Sequence, residues 1–552
     1  VSGLREDRLF GPPGTGKTTT LSKWVRRAAD KVGAQSIVVG SFTKTAAAEI
    51  ASRGIPVPDS QVGTLHALAY RALGIERGTI ADDAEKLGEW NARHPRYALT
   101  AGKKASDDDI EGPAGKTLGD ELYGELQTLR ARLVDEKLYP ARVFAFRNAW
   151  TAWKDELRLL DFTDLIEAAT YDVALPAPGV TVGFFDEAQD FTAMELRLVR
   201  TWAENMENVV LAGDDDQTIY FFKGARPEAF LQPPLPEERK HVLRQSYRVP
   251  AVVQRAAEAW VAQVGLREPK EYRPRAEEGF AKATAATWKN PLPLVRLLEA
   301  DLEAGRSPMV LATAGYMLGP LQATLRGAGL AYHNPYRLED YHLNPLRPGR
   351  GVSASQRLLA YHRPDPEAWG AEARLWTARE LYWALEHLRA KGVVIHGAKA
   401  YLDEASRTQD GVERELDWAE LAAYVDLDAL DEGFARPSLE WYEANLLKAK
   451  APGFVFPLAI ARRRGVAALR EEPRIVLGTV HSVKGGEADV VYLVPDLSPA
   501  ADQAWNGGGA ARDAVVRTFY VAMTRARLGL VVLSAAGASV PLRSSIARAL
   551  AA

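Results

Sequence analysis

Gly11-Pro12-Pro13-Gly14-Thr15-Gly16-Lys17-Thr18, followed by Thr19-Thr20-Leu21, is the stretch whose reading decides the fold. It satisfies the pattern G-x-x-x-x-G-K-[ST]. Its glycines let successive backbone N–H groups turn inward toward a polyphosphate, and the helix behind it presents its positive end to the same charge. Lys17 would reach the outer phosphates, and the Thr18 hydroxyl would sit on Mg²⁺. Gly11, Gly14, Thr15, Gly16, Lys17, Thr18 and Thr19 are the candidate nucleotide-binding residues of this loop.

Working outward, an apolar run ending at Leu9-Phe10 leads in, and a helix is expected from Thr18 to about Ala29. Ser36–Thr43 is an apolar run of buried-strand type, and Lys44–Ile50 an alanine-rich helix start. Strand, loop, helix, strand opens a parallel α/β sheet. The sheet resumes at Val180–Phe185, which delivers Asp186-Glu187-Ala188-Gln189-Asp190. Asn208–Ala212 then delivers Gly213-Asp214-Asp215-Asp216-Gln217. Both acidic clusters follow strand C-termini, the edge where open parallel sheets bind ligands and where the glycine loop also lies. Asp186 is placed to organise Mg²⁺, and Glu187 to polarise an attacking water, as a base or by orienting it.

Composition sets the outer bounds. The chain has 552 residues, 47% hydrophobic and 26% charged, with a net charge of −3. That is ordinary globular material long enough for several domains. A wholly basic nucleic-acid binder is excluded, but a local basic groove is not. There is no cysteine, which removes disulfides and thiolate chemistry and suits a reducing cytoplasm. No apolar run reaches the ~18 residues of a membrane span, so a cytoplasmic location without membrane contact is expected.

From about Ile75 to Leu160 the pattern is helical and interrupted. Ala101–Glu121 reads as a surface loop. Gly112–Thr117 inside it mimics a phosphate loop but follows no strand and is set aside. Later strand-like runs at Met309–Ala312, Arg474–Thr479, Asp489–Val494 and Leu528–Leu533 suggest a second α/β domain. A long insertion, about Leu346 to Ala468, splits it. Trp369, Trp376 and Trp383, spaced by seven, are expected on one packing face of a helix.

The ordered motifs resemble those of a superfamily 1 helicase of the UvrD/Rep/PcrA type. Ser41–Ala47 is similar to motif Ia, Gly63-Thr64-Leu65-His66 to motif Ib, Asp186–Asp190 to motif II and Gly213–Tyr220 to motif III. Gln245-Ser246-Tyr247-Arg248 is similar to motif IV, Gly478–Glu487 to motif V, and Tyr520–Arg527 to motif VI. The resemblance implies an α/β fold of two RecA-like P-loop domains with parallel sheets, each interrupted by a mainly helical insertion. The implied division is 1–75 and 161–250 for domain 1A, 76–160 for insertion 1B, 251–345 and 469–552 for domain 2A, and 346–468 for insertion 2B.

The same resemblance implies an ATP-dependent DNA translocase and helicase of the 3′→5′ branch, acting in DNA repair or replication. Its catalytic residues would be Lys17, Asp186, Glu187, Gln217, Arg248 and Arg525, with Gln217 sensing the γ-phosphate and Arg525 reaching in from the other core domain. Tyr247 would stack on the base, Glu487 would hold the ribose, and Thr18 and Asp186 would hold Mg²⁺. Phe42, Thr64, His66, Tyr220, Phe222, Lys223 and His481 would face single-stranded DNA or a single/double-strand junction, the aromatic ones by stacking. The implied protein is a monomer or depends on an accessory protein. Two other classes fit the same motifs: a motor that remodels protein–DNA complexes without processive unwinding, and a non-enzymatic nucleic-acid scaffold.

The chain departs from the family in two places. Phe221-Phe222-Lys223 follows the motif III tyrosine where relatives carry tryptophan and arginine at the last two positions. Lysine is a point charge where arginine is a planar fork; Phe221 is expected in the core. Only ten residues precede Gly11 and none is glutamine, so the family's usual adenine-reading segment is not matched.

Overall fold

The structure is a computed structural model describing residues 5–100, 117–337, 346 and 351–551. It separates into two compact units. Val1–Thr284, Leu311–Gly315 and Thr479–Ala552 make the first, and Ala285–Val310 with Tyr316–Gly478 the second. These units cut the chain at other places than the six expected segments do.

In the first unit, β1 (Glu6–Phe10), β2 (Ile37–Ser41), β3 (Val62–Thr64), β4 (Val182–Asp186), β5 (Asn208–Gly213) and β6 (Lys240–Val242) form one sheet in the order β3-β2-β4-β5-β1-β6. Every neighbouring pair is parallel. Between the strands run α1 (Lys17–Val32), α2 (Lys44–Ser52), α3 (Leu65–Leu73), α4 (Ala84–Arg93), α5 (Leu118–Ala131), α6 (Ala141–Leu157), α7 (Phe162–Asp172) and α8 (Ala193–Ala203).

A parallel sheet is covered on both faces, so its strands are apolar throughout and consecutive residues enter different cores. Leu9, Val39, Phe184 and Val210 pack with Leu21 and Val25 of α1 and Ile50 of α2. Their chain neighbours Phe10, Val38, Phe185 and Leu211 pack with Leu65 and Leu68 of α3, Ile166 of α7, and Val199 and Trp202 of α8. A one-residue register slip would exchange these two sets. Gly40 and Gly183 make room for the Phe185 ring: a Cβ on either would lie 2.5 or 2.8 Å from it.

A third core lies away from the sheet, among α4, α5 and α6. Trp90, Phe146, Trp150 and Trp153 fill it with Leu87, Leu122 and Leu126. Of the expected Ala101–Glu121 loop and the phosphate-loop mimic inside it, residues 101–116 lie outside the described residues. The remainder is no loop. Thr117 and Asp120 form a reciprocal capping box that starts α5 at Leu118, satisfying two otherwise orphaned helix N–H groups.

Among the described residues the strands build two parallel sheets. The first unit also holds β7 (Phe280–Ala283) and the strands Ala488–Leu493 and Ala526–Val532, the last paired in parallel to both others. In the second unit the short strand Tyr332–His333 pairs in parallel with the start of Ile475–Thr479. The rest of that unit's described residues are mainly helical.

The expected single face of tryptophans is not there. Trp369 ends the helix Pro366–Trp369, Gly370 at φ 59 breaks the chain direction, and Ala378–Leu385 is a separate helix carrying Trp383. Trp376 lies between them, fully buried, donating its indole N–H to the Ala360 carbonyl at 2.6 Å. Trp369 is instead flanked by the Arg363 and Arg470 guanidiniums, 4.1 and 4.3 Å from its ring centroid.

Candidate active site and aromatic cluster

The glycine loop joins β1 to α1, and its position is held by backbone contacts. Gly11 N–H donates to the Gly213 carbonyl of β5 at 3.0 Å. Gly14 and Gly16 adopt φ 75 and 76, where only glycine sits without strain. A Cβ on Gly14 would stand 2.4 Å from Arg248 Cβ. The loop carbonyls face the protein. Pro12 O accepts from Thr15 N and Thr15 Oγ1, Pro13 O from Ser246 Oγ and the Tyr272 hydroxyl, and Gly14 O from Tyr247 N. Thr19 is exposed and its hydroxyl accepts from Arg53.

The acidic side chains of motif II meet this loop directly. Thr18 Oγ1 donates to Asp186 Oδ2 at 2.8 Å, and Lys17 Nζ lies 3.4 Å from Glu187 Oε1. Burial, reinforced by the neighbouring Glu187 carboxylate, pushes the Asp186 carboxyl up from its ordinary range. Glu187 goes the other way: burial raises it, but the Lys17 and Lys484 ammoniums outweigh that and hold it low. Two adjacent carboxylates in different environments are thus split in acidity. Glu187 also has φ 54, a left-handed backbone rare for a non-glycine residue. Its side chain accepts from Gln189 Nε2.

Gln217 is fixed at both ends of its amide. Nε2 donates to Asp214 Oδ2 at 2.8 Å, and Oε1 accepts from Arg525 Nη2 at 3.0 Å. Arg525 is buried and also donates to the Val521 and Gly486 carbonyls. Arg525 and Gln217 belong to one compact unit. Arg248 donates to Glu487 Oε2 at 2.7 Å, and Arg527 reaches Glu487 Oε1 at 3.3 Å. Glu487, expected at a ribose, is here paired to two arginines. The Tyr247 side chain is exposed.

The residues expected on the DNA side gather only in part. Phe42 and Tyr220 have ring centroids 4.8 Å apart, Tyr220 and Phe222 5.9 Å, and Phe222 and His481 5.5 Å. Lys223 Nζ stands 5.3 Å from the Tyr220 ring centroid and 5.6 Å from that of Phe42. Tyr220 and His481 are buried, whereas Phe42, Phe222 and Lys223 are half-buried, so the first two brace the others. Phe221 is half-buried under the Arg226 guanidinium and not in the core. Thr64 and His66 make other contacts. Thr64 caps α3 through its hydroxyl, and His66 sits 3.7 Å from Glu195. Burial, reinforced by the Lys223 ammonium of the aromatic cluster, holds the His66 imidazole below its usual range despite that carboxylate.

Several site residues carried no role from sequence. Gln189 and Lys484 lie inside quoted motifs; Lys484 pairs with Asp190 and donates to the Gln217 carbonyl at 2.9 Å. Lys270 lies outside every motif, yet its ammonium meets Asp214 and Asp216 at 3.1 Å and also pairs with Asp215. Arg517 donates to the Asp215 carbonyl at 2.9 Å. Ser246 and Tyr272 clasp Pro13. Only the excess of three adjacent aspartates announced that a buried cation must answer them.

A parallel sheet with a glycine loop opening a helix at its carboxyl edge, met there by acidic side chains from a neighbouring strand, defines a phosphate-loop α/β protein. Residues 9–234 match the model of the UvrD/REP helicase N-terminal domain. That match and the relatives below support a likeness to superfamily 1 helicases of the UvrD/PcrA type. It is 27% identical to ATP-dependent DNA helicase UvrD2 of Mycobacterium tuberculosis H37Rv, over 94% of this chain and 75% of the relative. It is 25% identical to ATP-dependent DNA helicase PcrA of Staphylococcus aureus Mu50, over 48% of this chain and 38% of the relative. It is also 25% identical to the putative ATP-dependent DNA helicase YjcD of Bacillus subtilis 168, over 43% and 34%. Among the described residues no helix is long and apolar enough to cross a membrane.

Proposed function

We propose that this protein is an ATP-hydrolysing DNA helicase that translocates along single-stranded DNA in the 3′→5′ direction. One observation carries the reading. The short segment Asp214–Phe222 touches both halves of the required machinery. Gln217 is bonded to Arg525 beside the glycine loop, and three residues later Tyr220 packs among Phe42, Phe222 and His481. A change at the phosphate end has a nine-residue path to the aromatic end.

In this reading the loop N–H groups and Lys17 bind the phosphates, and Arg248 and Arg525 stabilise charge on the transferring group. Glu187 holds or takes a proton from the attacking water. The Thr18 hydroxyl and the Asp186 carboxylate are hard oxygen donors 2.8 Å apart, which fits Mg²⁺ held by few protein ligands plus phosphate oxygens. Mg²⁺ bound there would neutralise phosphate charge. Asp186 must then be ionised, so burial of its carboxyl works against binding at low pH.

Phe42 and Phe222 would stack on successive bases, with Lys223 beside them for the backbone. The two RecA-like domains, the 1B and 2B insertions, binding at single/double-strand junctions, and action in the cytoplasm belong to the same proposal. The test is ATP turnover with and without single-stranded DNA, followed by unwinding of duplexes with 3′ or 5′ tails. DNA-stimulated turnover with unwinding only of 3′-tailed substrates is the expected result. Stimulated turnover without unwinding would favour a motor that strips proteins from DNA, and absent turnover a scaffold.

A further inference from the structure

The turn that carries Phe222 and Lys223 is held from outside the sheet, by the last turns of α5. Arg132 follows α5 directly and donates from Nη2 to the Phe221 carbonyl at 3.1 Å. One turn earlier, the Thr128 hydroxyl lies 3.3 Å from the Phe222 carbonyl. The contact is close enough to constrain sequence: Gly224 has φ 98, and a Cβ there would stand 2.9 Å from the Ala131 Cβ. Arg132 is partly buried, so its bond to a carbonyl is poorly replaced by water.

The gripping helix is itself anchored. Arg130, two residues before Arg132, donates to Asp161, to Asp164 at 2.7 Å and to Glu167 at 2.6 Å. Asp161 is fully buried and also accepts from the Trp150 indole at 2.9 Å and from Lys154 at 2.8 Å. The end of α5 is therefore tied to α6 and α7 before it touches the aromatic turn. Across that turn, the Phe222 ring rests against His481 and Tyr220.

We propose that Arg132 is a positioning residue for the aromatic turn: it fixes the Phe221 carbonyl and thereby the direction in which Phe222 and Lys223 are presented. The inference rests on the reading of Phe222 as a stacking platform for single-stranded DNA. It gives the helical segment of α4–α6 a specific task, bracing the polymer track through one guanidinium. A brace of this kind acts on DNA engagement and on work done per ATP, not on the loop that holds the nucleotide.

The experiment uses the full chain and three variants, Arg132→Ala, Arg132→Lys and Phe222→Ala. Oligo-dT is the DNA probe, and thermal melting monitors the fold. Two quantities are read: the oligo-dT concentration giving half-maximal ATPase stimulation, and base pairs unwound per ATP hydrolysed. Arg132→Ala is expected to raise the half-saturating concentration roughly tenfold, the scale of a lost hydrogen bond from a charged donor, and to lower the base pairs opened per ATP. Arg132→Lys, which keeps a donor, should recover most of both.

If Phe222→Ala shifts both quantities while Arg132→Ala leaves them at wild type, the brace is refuted and the platform stands. If Arg132→Lys is as impaired as Arg132→Ala and both melt early, Arg132 is a structural residue and the proposal fails. If Phe222→Ala itself changes nothing, the platform reading falls and takes the brace with it.

Discussion

The Arg525 guanidinium donates from Nη2 to the Gln217 Oε1 at 3.0 Å. Because Gln217 Nε2 is committed to Asp214 at 2.8 Å, the orientation of the amide is set and only its oxygen can meet the arginine. Arg525 has further Val521 and Gly486 carbonyl partners, so it is stored in a satisfied position from which a more negative acceptor can draw it.

Arg525→Ala is expected to lower the turnover number by on the order of 10³-fold, the scale of an arginine that stabilises transferring phosphate charge. Nucleotide affinity should change little. Steady-state turnover and equilibrium binding of a fluorescent ATP analogue separate the two, and a loss confined to affinity would remove the arginine from catalysis.

Lys17→Ala should reduce DNA-stimulated hydrolysis by at least ~10²-fold while single-stranded DNA binding, measured by fluorescence anisotropy, stays near wild type. Lys17 is paired with Glu187 at 3.4 Å, and retained turnover would count against its assigned role.

Phe222→Ala should weaken single-strand binding by roughly 1–3 kcal/mol, the value of one base stack, and reduce the base pairs opened per ATP. Equal yield from equal ATP would show that this ring is no platform.

Lys270→Met removes the buried cation that faces Asp214, Asp215 and Asp216. Breaking a buried ion pair from one side costs about 3–5 kcal/mol, and a urea denaturation midpoint should fall accordingly. An unchanged midpoint would mean that Arg267, bonded to Asp216 at 2.6 Å, suffices.

Asp82 supplies a pH test. Burial, offset in part by the Tyr123 hydroxyl bond and reinforced by Asp161, pushes its carboxyl up to about 6. The folded state then holds this proton more tightly than the unfolded chain, so stability falls as pH rises from about 4 through about 6. Asp82→Asn keeps an acceptor for Tyr123 and removes the charge. Its melting temperature should exceed wild type at pH 8 and approach it near pH 3, below both the folded and the unfolded range of the carboxyl. The same difference at both pH values would rule out the carboxyl's charge as its source.

The glycine loop, the two acid-bearing strands and the seven motifs were legible because each needs a fixed residue type at a fixed spacing. Strands β2, β4 and β5 fall within a residue or two of their expected bounds for the same reason, since runs such as Ile37-Val38-Val39 are apolar on both faces. β3, β6 and β7 have three or four residues each and leave no periodic trace. Trp369, Trp376 and Trp383 kept a heptad spacing that Gly370 overrides, so period alone misled. Lys270, Tyr272 and Arg132 were invisible for another reason. Each acts on a backbone carbonyl or an acidic cluster distant in sequence, and only folding selects which lysine or arginine arrives there. His66 and Thr64 show the converse: two residues apart in one motif, they contact Glu195 and the α3 N-terminus.

The carbonyls of Pro12, Pro13 and Gly14 all accept from the protein, through Thr15, Ser246, Tyr272 and the Tyr247 N–H. With its oxygens tethered behind it, the loop cannot flip a peptide to present negative dipoles to an incoming phosphate. The first-turn N–H groups of α1 keep their inward orientation before any ligand arrives. On the proposed reading, nucleotide recognition would be distributed to Ser246 and Tyr272, side chains that need never touch a phosphate. Loosening either should slow capture of nucleotide more than its chemistry.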